Sequence, residues 1–150
     1  MNRDEILRVL RAFESAGRVL GARGLPRIIL ECQLRLLHQE LCAAVPAKTD
    51  IYRRLLEASR LLHRRRAAIL ADEPFDAVAA QFETRVSALH DRLTHAGVLI
   101  VSAVLDAHDD VPSAVESLTT WLTDAERFSA DWSRAIEQTL SGTRGLLPTG

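Results

Sequence analysis

A row of arginines on one predicted helix is the feature of this sequence that could bind phosphate. The segment from about residue 49 to residue 72 presents three of these arginines on its solvent face and two beside its apolar stripe. Such a row neutralises a nucleic-acid backbone without needing other features, although the only aromatic side chain nearby that could stack on a base is Tyr52. The candidate basic patch consists of Arg53, Arg60, Arg64, Arg65 and Arg66.

The alternative to nucleic acid is that these arginines pair with acidic residues elsewhere in the protein. Residues 1–72 carry fourteen basic and eight acidic side chains, whereas residues 73–150 carry five basic and twelve acidic ones, in a chain of net charge −1. The two halves therefore attract each other, within one chain or across a dimer, and we favour this interpretation. The candidate acidic partners are Asp106, Asp109, Asp110, Asp124, Glu126 and Asp131.

Residues that could hold a metal or act as a nucleophile are scattered rather than grouped. The five histidines form no Glu-x-x-His pair or zinc-ligand spacing, and His90 and His95 point to different sides of a helix. Cys32 and His38 are six residues apart on different faces, so His38 is not placed as a base for that thiol. The glycines at 17, 21 and 24 match no phosphate loop and are interpreted as helix stops. We expect no catalytic residue, no cofactor and no metal site.

The elements that position these residues are predicted to be helices only. Alanine and leucine abound, aromatic residues make up 5% of the chain, and seven glycines and five prolines interrupt it. Apolar periodicity and these interruptions divide the chain into five helices, near residues 4–20, 26–45, 49–72, 74–107 and 112–140. The short connections predict an all-α, up-and-down bundle, and the wide apolar arc of the second helix predicts a central position for it.

The predicted fourth helix is long and carries a heptad seam over more than four repeats. Its second half is apolar on every side, which indicates that this end is surrounded by protein. Because this helix would be about 51 Å long at 1.5 Å per residue, it either kinks near Gly97 or projects beyond the bundle and offers the seam to a partner. The heptad seam consists of Phe75, Ala79, Phe82, Val86, Leu89, Leu93, Ala96, Ile100, Ala103 and Ala107.

Three large aromatic residues at helical spacing on the fifth predicted helix belong to the core or to a binding surface. We favour the core, but tryptophan is enriched at binding hot spots, so these rings are also the leading interface anchors. Together with part of the heptad seam they make up the candidate interface. The candidate interface residues are Phe82, Leu89, Leu93, Ile100, Trp121, Phe128 and Trp132.

The sequence as a whole predicts a single helical-bundle domain over residues 1–141 with a short tail at 142–150. An excess of arginine over lysine is typical of high-GC bacterial coding, and the charged start and apolar runs too short to span a bilayer predict a cytoplasmic protein. The function we expect is a non-enzymatic protein–protein interaction module, such as an adaptor, chaperone, inhibitor or assembly subunit, that self-associates through helix faces. The alternatives are a nucleic-acid-associated protein using the basic patch and a small-molecule-binding bundle.

Overall fold

The computed structural model describes residues 3–149, apart from the side chains of Arg3 and Ile6, and every regular element in this range is helical. This confirms the all-α class. Residues 3–149 form seven α-helices rather than the five predicted, and a short 3-10 turn at Pro46–Lys48 separates the second from the third. The helices are α1 Arg3–Ala22, α2 Arg27–Ala44, α3 Thr49–Ile69, α4 Asp72–Val86, α5 Ala96–Asp109, α6 Ala114–Leu122 and α7 Ala130–Leu146.

The first three helices begin and end close to the predicted positions, because residues with special backbone chemistry separate them. Gly24 adopts a left-handed φ of 83° just after α1, where the amide of Leu25 donates to the carbonyl of Leu20. Pro26 precedes α2, and Pro46 opens the 3-10 turn that follows it. Gly17 and Gly21, interpreted as helix stops, instead lie buried inside α1. There a side chain at either position would contact Arg27 or Asp106.

The long fourth helix was a wrong prediction. Residues 87–95 are not helical, and the chain reverses there, so that two helices, α4 and α5, replace the predicted one. The turn lets the two halves of the heptad seam pack on each other, so that Phe82 and Val86 share one buried cluster with Ile100. Gly97 permits this approach, because a Cβ there would lie 2.5 Å from the carbonyl oxygen of Ala79. The packing of α5 against α4 thus outweighs the local preference for one continuous helix.

The predicted fifth helix is also two helices, because residues 123–129 leave the helical path between α6 and α7. Ser129 caps α7 by accepting a 3.3 Å hydrogen bond from the amide of Trp132, and the Trp132 indole donates to the carbonyl of Leu122 at 2.8 Å. At its other end α7 continues through Gly142 to Leu146, with Thr143 fully buried. The residues from 142 to 146, predicted to be loose tail, are therefore helical.

The centre of the molecule is α5 and not, as the apolar arc predicted, α2. Every residue of α5 from Ile100 to Asp106 is buried, which confirms that the second half of the heptad seam is surrounded by protein. One face of α5 packs with α4, α6 and α7, and another packs with Ile28 and Leu70. The apolar arc of α2 is not fully covered, since Leu36 and Leu37 remain exposed.

Candidate functional site

A cluster of opposite charges joins the N-terminal helices to the end of α5. Arg27, the first residue of α2, is its centre: the side chain is 9% exposed, its Nη1 donates to Asp109 at 2.8 Å and its Nη2 contacts Asp110. Its backbone amide donates to Asp106 Oδ2 at 2.9 Å, which supplies an acceptor at the open N-terminal end of α2. We call this group of Arg27, Arg65, Asp106, Asp109 and Asp110 the Arg27 cluster.

Arg65 of α3 closes the cluster from the other side. Its Nε donates to Asp109 Oδ2 at 2.5 Å, and its Nη2 donates to Asp110 Oδ2 at 3.3 Å. Arg18 of α1 reaches the same Asp110 from solvent, with Nε 3.1 Å from Oδ2. Hydrogen bonds to Arg65 and Arg27 hold the pKa of Asp109 below its ordinary value, against the effect of its partial burial. The cluster therefore fixes α1, α2 and α3 to α5.

Asp106 behaves differently because it is the most deeply buried carboxyl of the cluster. Desolvation raises its pKa to about 6, although the Arg27 amide and guanidinium favour the charged form. In the unfolded chain an aspartate ionises near pH 4, so between about pH 4 and pH 6 folding takes up a proton. Stability from this group is complete below about pH 4 and is lost as the pH rises through about 6.

Replacement of Asp106 by asparagine tests this proton uptake. The amide can still accept from the Arg27 backbone but cannot ionise, so wild type should lose roughly 3 kcal/mol relative to Asp106→Asn between about pH 4 and pH 7. The measurement is the free energy of unfolding in urea for both proteins across that range. Asp109 and Asp72, whose pKa values are lowered, lose their contributions to stability as the pH falls. Both proteins undergo these losses, so they largely cancel when the two free energies of unfolding are subtracted. Parallel curves would contradict the assignment.

The predicted basic patch is not a row of five unpaired arginines, because two of its members, Arg65 and Arg66, form ion pairs with carboxylates of other helices or their ends. Arg65 belongs to the Arg27 cluster, as the charge asymmetry suggested, with Asp109 and Asp110 among the predicted partners. Arg66 makes a two-pronged pair with Glu31, at 3.0 and 3.1 Å, and lies 4.4 Å from the centre of the Phe75 ring. Arg53 pairs with Asp50 one turn away, while Arg60 and Arg64 are exposed.

Three of the seven candidate interface residues lie in the interior of the single chain. Phe82, Ile100 and Trp132 are fully buried, so none of these three side chains is presented at the surface described, and their place in an interface stays a prediction. Trp132 stacks on Phe128 with centroids 5.0 Å apart and meets the edge of Phe82 at 5.2 Å. The other four residues are not fully buried. Leu93 is exposed in the connection between α4 and α5, and three pack partly against this core: Leu89, Trp121 and Phe128.

Large exposed apolar side chains occur instead on the α2–α3 hairpin, where sequence reasoning had not placed the interface. These side chains are Leu36, Leu37, Val45 and Ile51. We call these four the hairpin tip. Leu7, near the N-terminus of α1, is a further exposed apolar side chain. The signal in the sequence was the apolar arc of α2, which was wider than one neighbouring helix requires.

Thiol and imidazole groups also meet in a pair that sequence reasoning did not single out. Cys42 Sγ lies 3.5 Å from His38 Nε2, one helical turn away on α2. Cys32 is a separate free thiol on the same helix. Within residues 3–149 no three His, Cys, Asp or Glu side chains are grouped as metal ligands, and no helix there is both long and apolar enough to cross a membrane.

Comparison with protein-family models, with curated proteins and with solved structures finds no match for this chain.

Proposed function

We propose that this protein is a non-enzymatic interaction module that self-associates through the hairpin tip. The observation that carries the proposal is a loss of cover along two continuous apolar stripes. On α2, exposure rises from 4% at Leu34 to 47% at Leu37, and on α3 it rises from 1% at Ala58 to 56% at Ile51. The helix faces that form core at Leu34 and Ala58 thus also carry the exposed side chains of Leu37 and Ile51, which favours a partner at this part of the hairpin.

The kind of partner that fits is helical, since exposed Leu37 and Ile51 each belong to a stripe of helical spacing. The other members of these stripes are buried or partly buried: Leu34 and Leu41 on α2, and Leu55 and Ala58 on α3. A second helical hairpin packed here would supply two further stripes and complete a four-helix arrangement.

The charges around the hairpin tip favour a second copy of the chain as that partner. Exposed Arg35, Lys48 and Arg53 alternate there with exposed Glu40 and Asp50. A surface with both signs can be complementary to itself across a two-fold axis, whereas a surface of one sign repels its own copy. This proposal keeps the expected self-association but moves it from the heptad seam, which the chain largely closes internally, to the hairpin.

The experiment is size-exclusion chromatography with light scattering on wild type and two variants. Wild type should elute at twice 16.6 kDa, and Ile51→Glu should shift it to 16.6 kDa with unchanged far-UV circular dichroism, because a half-exposed side chain can be replaced without unfolding the helix. Leu93→Glu, an exposed leucine outside the hairpin, is the matched control and should remain dimeric. A monomeric wild type contradicts self-association. Dissociation by Leu93→Glu alone would return the interface to the predicted seam.

The nucleic-acid alternative is weaker, since the ion pairs of Arg65 and Arg66 remove them from any phosphate-binding row. Recording absorbance at two wavelengths during the same chromatography tests it directly. Nucleic acid that co-purifies at low salt and is released at high salt would favour the exposed Arg60 and Arg64 over the hairpin tip.

A further inference from the structure

A small cavity lies between α2, α3 and α5, beside the Arg27 cluster. Its volume is about 20 Å³, and its lining combines charged groups, apolar groups and the hydroxyl of Ser102. A space of roughly 10–15 Å³ is enough for one water, provided that two to four polar partners face it. The cavity therefore has room for one molecule of that size.

Ser102 supplies the first polar group that lacks a partner. Its side chain on α5 is buried, at 1% exposure, and its Oγ has no hydrogen-bond partner among the described residues. The buried hydroxyls of α7, in contrast, donate to the carbonyl one turn earlier, as Thr139 does to Ala135 at 2.9 Å and Thr143 does to Thr139 at 2.7 Å. A buried hydroxyl without any partner costs about 1–3 kcal/mol, so a bound molecule that pairs with Ser102 is favoured.

The second unpartnered group is the Nε of Arg27, a residue that also lines the cavity. It lies 4.0 Å from Asp106 Oδ1, which is too far for a direct hydrogen bond and is a separation that a single bridging molecule can span. Asp106 is one turn after Ser102 on α5, so the hydroxyl and the carboxyl lie on the same side of the helix. Arg27, Ser102 and Asp106, which carry a donor, a hydroxyl and an acceptor, thus all line one cavity.

We propose that this cavity binds one water molecule, held by Ser102 Oγ, Arg27 Nε and the Asp106 carboxyl. The ligand is neutral because the charges of the lining already balance: Arg27, Arg65 and Arg66 stand against Glu31, Asp106 and Asp109. An added ion would be an uncompensated charge in a largely buried site. The water completes the polar contacts between α5 and the start of α2, and it belongs to the folded monomer whether or not the hairpin tip dimerises.

Magnetic relaxation dispersion of the water nuclei tests the proposal, because it counts internal waters that exchange slowly. Ser102→Val replaces the hydroxyl by a methyl group directed into the cavity, and the count should fall by one relative to wild type. Ser59→Ala is the matched control, since this buried hydroxyl already donates to the Glu31 carbonyl at 2.8 Å and its loss should leave the count unchanged.

A crystal structure of the wild-type protein provides the independent readout, which does not depend on the folding of Ser102→Val. Density for one water within hydrogen-bond distance of Ser102 Oγ and Asp106 is the expected result. An unchanged water count in a folded Ser102→Val protein overturns the proposal. So does a crystal structure in which the cavity contains no density and the Ser102 hydroxyl donates to the carbonyl of Val98.

Discussion

Replacement of Arg27 by alanine should lower the free energy of unfolding by about 3–5 kcal/mol at neutral pH. The guanidinium is buried and contacts Asp109 and Asp110, and the Arg27 amide donates to Asp106. Removal of the guanidinium therefore leaves three neighbouring carboxylates without much of the positive charge that balances them. Urea unfolding followed by far-UV circular dichroism measures the change.

Arg18→Ala is the control for this prediction, because Arg18 also binds Asp110 but is 58% exposed. Solvent screens an exposed pair, so the loss there should be within about 1 kcal/mol. Equal losses in the two variants would mean that burial does not determine the strength of these contacts. A loss below about 1 kcal/mol for Arg27→Ala would mean that the Arg27 cluster does not hold α2 to α5.

The second large effect is expected at Trp132, where alanine should cost about 3–5 kcal/mol. The indole is fully buried, lies between Phe128 and Phe82, and donates to the carbonyl of Leu122 at the end of α6. Its removal leaves a cavity among α4, α6 and α7 and an unpaired buried carbonyl. The measurement is again urea unfolding, with attention to the slope as well as the midpoint.

Trp132→Phe separates the two contributions, because phenylalanine keeps an aromatic ring in the core but loses the hydrogen bond to Leu122. The expected loss is about 1–2 kcal/mol, less than half that of alanine. If Trp132→Phe is as destabilising as Trp132→Ala, the hydrogen bond and not the ring is the dominant contribution. If neither variant is destabilised, the aromatic stripe is not core, and the small-molecule alternative regains support.

Arg27 was not singled out in the sequence, although part of its cluster was foreseen. The opposite charges of the two halves predicted pairing of Arg65 with Asp109 and Asp110, because charge balance can be read without coordinates. Nothing in the local sequence distinguishes Arg27 from the other seventeen arginines except its place directly after Pro26. Its role depends on α5 passing the start of α2, which is a long-range contact.

The amino-acid sequence by itself determined the helical class and the boundaries at which backbone chemistry decides. At Gly24 a left-handed φ is required, and Pro26 and Pro46 lack an amide hydrogen, so α1, α2 and α3 had to be separate in any packing. Apolar periodicity likewise indicated which faces of these helices are apolar. These are local properties, since each is set by residues within a turn or two of one another.

Only the tertiary structure decided where the longer predicted helices break and which apolar faces remain open. Residues 87–95 and 123–129 contain no glycine or proline, so nothing in their backbone chemistry requires a break there. The chain turns because folding α5 into the centre buries apolar groups on all its sides, which a straight helix would leave in water. The same packing buries most of the heptad seam inside the chain and leaves Leu37 and Ile51 exposed. Burial of an apolar stripe depends on which helices pack against it, and the stripe by itself does not determine this.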